Sequence, residues 1–243
     1  MTTNTELTIR AQAKGGMFLG PDSFNGAIIT VRDGSTILSG PGFTNQGDSG
    51  TRASQRSVYS SPYPIVTPTN PITTYFVVAN PTTTVQYTAN LNLSAQQVLT
   101  VDVRVPLPPA QGDQFVTRTV RVNPGPQSPG PGAVIEIPGL WVQPELVVSG
   151  ATVNLKTKVT MMCGCEINVG TPTSPSPWIP TDFEVIAQIV KPALQPPVKL
   201  TFDFNSQFTG EIRLAPGTYT AEFSAKQFSD IENTGKATVQ FHV

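Results

Sequence analysis

Apolar and polar residues alternate along much of this chain with a period of two. Leu7, Ile9, Ala11 and Ala13 share one phase, as do Leu99, Val101, Val103 and Val105. Val153, Leu155, Thr157, Val159 and Met161 repeat the pattern in the second half. A period of two is that of a half-buried β-strand, whose successive side chains point to opposite faces. The same reading predicts strands over residues 26–33, 36–39, 75–79, 85–91 and 116–122. In the second half it predicts strands over 133–142, 183–189, 198–204 and 211–214. The last two strands are the clearest. Tyr219, Ala221, Phe223 and Ala225 form one face, and Ala237, Val239, Phe241 and Val243 form the next. Asp33-Gly34 is a hairpin signal between two predicted strands. No amphipathic helical segment of convincing length occurs, and the 24 prolines would interrupt most helices.

The pattern is broken twice. Residues 123–132, NPGPQSPGPG, hold four prolines and three glycines, which suit neither strand nor helix. They predict a stiff connector between a first domain, 1–122, and a second, 133–243. Residues 40–73 form a long stretch of Gly, Ser, Thr, Asn and Pro with scattered aromatics. Loops of this length without structure of their own are uncommon in compact domains. Two readings of it stand: a mobile insertion, or an arm that docks or adds a strand elsewhere. The part holding Arg52 and Arg56 has little to bury. The part with Tyr59, Tyr63, Ile65 and Val66 carries an apolar strip and is the candidate contact segment.

Two family resemblances follow from these residues. In the last thirty residues, Pro216-Gly217 makes a turn and Tyr219 opens a strand. This resembles the tyrosine corner of immunoglobulin-like sandwiches. The position two past the tyrosine is Ala221, not Cys, so the inter-sheet disulfide of antibody domains is absent. The resemblance is therefore to the bacterial or adhesin-type branches. The stretch GAIITVRDGSTILSGPGFTNQG is similar to the early hairpin of transthyretin-like or carboxypeptidase-regulatory-like modules. Together they imply an all-β chain of two sandwich domains, transthyretin-like and then immunoglobulin-like.

Charge removes several functions. Only 13% of residues are charged and the formal net charge is −1. That leaves no footprint for nucleic acid or an anionic membrane. No run approaches a membrane span, and the first residues lack the basic and apolar regions of a secretory signal. The Thr- and Pro-rich texture leans toward a surface or extracytoplasmic protein.

Catalytic chemistry has little to build on. The single histidine, His242, lies next to the last residue and alternates out of the core face, so no Ser–His–Asp arrangement is suggested. No phosphate-binding glycine loop occurs. Asp230 and Glu232 fall in the loop between the last two strands, where a solvated tip is the plain reading. The unusual constellation is Met161-Met162-Cys163-Gly164-Cys165. Three readings of it stand: buried small hydrophobes, a strained or redox-active disulfide, or a soft-metal site. Thiolate and thioether donors suit Cu(I), with Met161, Cys163 and Cys165 as ligands. Otherwise no cofactor is expected. If 153–163 is the second strand of the sandwich, its end shares a pole with the loop before the last strand. Cys165, Trp178, Asp230, Glu232 and Asn233 then form the candidate binding pole. Trp178 is there either as a lid on the core or as an exposed platform.

The expectation is a non-enzymatic structural or binding protein, accessory or adhesin-like. Soft-metal or redox handling at the cysteines is the first alternative, and a virion or filament subunit the second. A protein partner or self-assembly would follow.

Overall fold

The structure, a computed structural model, describes residues 1–14, 18–19, 27–43, 63–66, 74–76, 87–126, 132–171, 174–176 and 178–243. The chain is all-β, with sandwich-like pairs of sheets, and divides into two compact units.

The first unit comprises Met1–Pro106 and Asp113–Ile137. Its strands are β1 (Thr3–Ala13), β2 (Ile28–Asp33), β3 (Thr36–Phe43), β4 (Tyr63–Val66), β5 (Thr74–Phe76), β6 (Tyr87–Leu93), β7 (Gln97–Val105), β8 (Gln114–Val122) and β9 (Ala133–Ile137). They form two sheets, in the orders β5-β4-β9-β1-β6 and β3-β2-β7-β8. The alternation read from sequence is the core face of each. Leu7, Ile9, Ala11 and Ala13 are buried on β1, and Leu99, Val101, Val103 and Val105 on β7. Toward its end, where it pairs with β9, β1 is buried on both faces. Arg10 and Gln12 are therefore inside, and Glu136 stands opposite Gln12 in the parallel register with β9. Loss of hydration pulls the Arg10 guanidinium down to about 10, still charged at neutral pH.

Two expectations fail here. Residues 133–142 are not one strand of the second domain. Ala133–Ile137 pairs in parallel with β1 and with β4, so it belongs to the first unit, and the division falls at Pro138 rather than within 123–132. Nor is 40–73 an insertion loop throughout; the strand-adding alternative describes 63–66. β3 runs on to Phe43, and Tyr63–Val66 adds a strand to β9. Tyr59, Arg52 and Arg56 lie outside the described residues.

The second unit comprises Leu107–Gly112 and Pro138–Val243. Its strands are β10 (Leu140–Ser149), β11 (Thr152–Met161), the two-residue β12 (Gly170–Thr171) and β13 (Ser174–Pro175), β14 (Phe183–Lys191), β15 (Val198–Lys199), β16 (Thr201–Phe202), β17 (Gln207–Arg213), β18 (Thr218–Gln227) and β19 (Thr234–His242). One sheet runs β10-β11-β17-β16, the other β15-β14-β18-β19. The core is filled by Val153, Leu155 and Val159 from one sheet and by Val185, Ala187, Ile189, Ala221 and Phe223 from the other. The predicted strand 198–204 is split. The chain leaves β15 at Leu200, whose N–H bonds to the Val185 carbonyl, and enters the opposite sheet as β16. The turn that follows carries positive φ at Asn205 and Ser206, and Phe204 just before it is exposed.

Three local features hold this unit together. The Tyr219 hydroxyl donates to the Ala215 carbonyl at 2.8 Å, and its ring stacks on Phe241. Gly235 lets β19 approach β10, since a Cβ there would lie 2.3 Å from the Leu140 carbonyl oxygen. The 107–112 segment completes the edges of both sheets. The Gln111 side-chain amide donates to Leu140 O and accepts from Val142 N–H on β10, and Ala110 O accepts from Thr238 N–H on β19.

Candidate functional site

Loops gather at one end of the second unit, where β11 ends and β14 begins. The first runs from Met162 to Asp182. β11 stops at Met161 because the chain turns at Gly164, which has φ of +76°. The turn is closed by Gly164 N–H to Met161 O and by Met161 N–H to Cys165 O. Cys163 and Cys165 are joined by a disulfide, and both are buried with Met161 and Met162. As a disulfide, neither sulfur is a thiolate, so this oxidised form holds no soft-metal donor pair. Among the described residues no group of three or more His, Cys, Asp or Glu side chains could hold a metal.

The second loop, Asp203–Ser206, is tied to the first. Ser206 is fully buried; its N–H donates to Ile167 O and its hydroxyl accepts from Ile167 N–H. Val159 N–H donates to the Ser206 carbonyl, fixing the turn to β11.

The third loop, Phe228–Asn233, is tied to the first through Asp182. That carboxylate accepts from Ser229 N–H and from the Gln227 side chain at 2.8 Å, and makes a short bond with the Ser229 hydroxyl. Phe228 N–H donates to the Asp182 carbonyl. Burial pushes the Asp182 carboxyl up, but the bonds from Ser229 and Gln227 outweigh it and leave the carboxyl below its ordinary value.

The residues predicted from sequence have unequal fates here. Trp178 is buried; its carbonyl accepts from Asn168 N–H, and it serves as a lid rather than a platform. Asn233 is also buried, accepting from Gly139 N–H and donating to Gln227. It is a structural strut. Asp230 and Glu232 lie at the loop tip, where Glu232 N–H donates to the Asp230 carboxylate. Tyr63 is in β4 of the first unit, and Tyr59 is outside the described residues. His242 lies at the far end of β19, beside Thr218.

What the sequence reading missed is the surface these loops present. Val169, Ile179, Phe204, Phe228 and Ile231 are between 46% and 83% exposed. They come from all three loops, which hydrogen bonds lock together. Single exposed apolar residues are ordinary; outside these loops the second unit exposes Val147, Val148 and Leu194. A signal was present in the sequence: Phe228 and Ile231 are large apolar residues inside an otherwise polar loop. Lys226 lies over the Phe228 ring, 5.6 Å from its centroid, while paired with Glu184.

No protein-family model matches this chain, and no curated protein does. Among solved structures it is similar to a DUF3823 family protein from Bacteroides ovatus, at 10% identity and a TM-score of 0.31, over 99% of this chain and 98% of that one. It is similar to a candidate carbohydrate-binding protein from Bacteroides uniformis at 14% identity and a TM-score of 0.28, over 98% and 99%. It is also similar to the chicken interferon gamma receptor alpha chain at 13% identity and a TM-score of 0.33, over 70% and 79%. Likeness at this level assigns this chain neither an activity nor a ligand.

Proposed function

We propose that this chain is a non-enzymatic binding protein of two β-sandwich domains, transthyretin-like and then immunoglobulin-like. Its partner is a macromolecule held by the loop end of the second unit. The immunoglobulin-like assignment is supported by the strand orders β10-β11-β17-β16 and β15-β14-β18-β19, which follow the A-B-E-D and C′-C-F-G arrangement. The Tyr219 bond to Ala215 supports it too. The observation that carries the binding reading is the exposure of Val169, Ile179, Phe204, Phe228 and Ile231 on three interlocked loops. Loops fixed by a rigid sandwich are where such folds keep recognition.

Photo-crosslinking in the producing cell tests it. A benzoylphenylalanine at position 228 is expected to give a discrete cross-linked product, and one at position 242 none. A cross-link between two copies through position 228 would assign the loop end to self-assembly, the filament or virion reading. Absence of any product from 228 would overturn the proposal, as would robust turnover of a substrate in a hydrolase and oxidoreductase panel.

A second reading rests on the Cys163–Cys165 disulfide itself. A dithiol reductant would open it to two thiols beside Met161, a donor set suited to Cu(I). Thiol counting before and after reduction, followed by Cu(I) titration against a competing chelator, decides this. Two thiols with no tight Cu(I) binding would end it.

A further inference from the structure

The loop end has a charge pattern as distinctive as its apolar exposure. Residues 162–182, 203–206 and 228–233 contain Glu166, Asp182, Asp203, Asp230 and Glu232, and no Lys, Arg or His. The basic residues of the second unit all lie elsewhere, on strands or at their ends. Three of them are already engaged: Lys158 faces Glu166 at 4.0 Å, Lys226 pairs with Glu184 at 2.6 Å, and Lys236 pairs with Glu222 at 2.7 Å. The protein as a whole is almost neutral, so this is local segregation and not a consequence of net charge.

Resting on the binding reading above, we infer that the partner is a polypeptide surface with an apolar pocket rimmed by lysine or arginine. Phe228 and Ile231 are the anchors and the loop carboxylates set the orientation. Charge decides between classes of partner. Phosphate-rich nucleic acid and anionic lipid headgroups would meet like charge from every loop, whereas a basic rim meets opposite charge. An apolar centre with charges around it is the usual layout of a protein interface, with energy coming from the anchors and speed and selectivity from the rim. A free amphiphile would use the apolar residues alone and would ignore the carboxylates.

The probe is a fluorescent peptide of alternating leucine and lysine, compared with leucine–glutamate and serine–lysine peptides of equal length. The leucine–lysine peptide is expected to bind the whole chain. Its affinity should fall about tenfold between roughly 0.05 and 0.5 M salt, as screening shortens the reach of the rim charges. The triple variant Asp203→Asn, Asp230→Asn, Glu232→Gln should reproduce that loss, and Ile231→Ser should weaken binding at every salt concentration. Leu194→Ser at the far end should change nothing. If Ile231→Ser weakens binding while the triple variant and salt do not, the inference about the partner's charge is overturned and the binding site stands. If Ile231→Ser has no effect beyond that of Leu194→Ser, the site itself is wrong. Equal binding of the leucine–glutamate peptide also overturns the inference. Thermal melts of each variant separate lost binding from lost folding.

Discussion

Gln111 offers the sharpest test of how the second unit is held together. Its side-chain amide lies beside β10, donating to Leu140 O at 2.6 Å and accepting from Val142 N–H at 2.9 Å. It does for the edge of β10 what a neighbouring strand's peptide group would do. Leu140 and Val142 are buried, so their edge groups are poorly placed to recruit water once the amide is gone. Gln111→Ala removes both bonds. Each orphaned buried group costs about 1–3 kcal/mol, a figure that already takes in its lost hydrogen bond. Against this, a glutamine side chain that need not be ordered returns up to about 2 kcal/mol. The balance is a loss of about 2 kcal/mol, or a midpoint lowered by about 6–8 °C for a domain of this size. Urea denaturation should report the free energy, and amide hydrogen exchange should report the mechanism. The Val142 amide should exchange much faster in the variant, while the Val153 amide within the same sheet changes only as global stability does. Gln111→Glu should be as harmful, because a carboxylate retains the acceptor for Val142 but turns a negative oxygen on Leu140 O. A loss below about 0.5 kcal/mol, with Val142 exchange unchanged, would show that water replaces the amide and that this reasoning is wrong.

Other outcomes follow from the same geometry. Tyr219→Phe keeps the stack on Phe241 and loses only the bond to Ala215, so differential scanning calorimetry should find a loss of about 1 kcal/mol. Gly235→Ala sets a methyl against Leu140 O and the Val142 side chain. Chemical denaturation should then show a loss of about 2 kcal/mol or more, as β19 is pushed off β10. The Asp182 carboxyl is lowered in the folded state, so the stability it contributes is fully present above the ordinary aspartate value near about 4. That contribution is lost as pH falls through the folded-state value. Melts of the native chain and Asp182→Asn across acid pH should differ at neutral pH and converge at the acid end; a gap that persists there would refute the assignment.

How much of this was legible in the sequence depends on whether the signal is local. A strand with one buried face writes its period into the chain, so β1, β7, β11, β14, β18 and β19 could be read directly from alternation. The tyrosine corner is also local: a turn, a tyrosine and a carbonyl four residues back. What alternation cannot encode is which strand lies beside which, because any half-buried strand can pair with any other. For that reason residues 133–137 read as the opening of the second domain, although their parallel partners β1 and β4 are in the first unit. The 198–204 run kept its phase on paper while the chain crossed between sheets at Leu200, and Phe204 at its end is exposed. Likewise Gln111, far from β10 in sequence, looked like one more loop residue.

The candidate site divides along the same line. The sequence by itself determined an all-β chain, the strands with one buried face, the poverty of catalytic side chains and the placing of both cysteines in one short segment. Only the tertiary structure decided that Trp178 and Asn233 face inward, that Asp182 binds two loops together, and that the apolar and acidic residues of three distant segments share one end. The physical reason is that burial at a strand is set by its neighbours in the chain through a fixed period. The exposure of a loop side chain is set by the turn geometry and hydrogen bonds of segments tens of residues away.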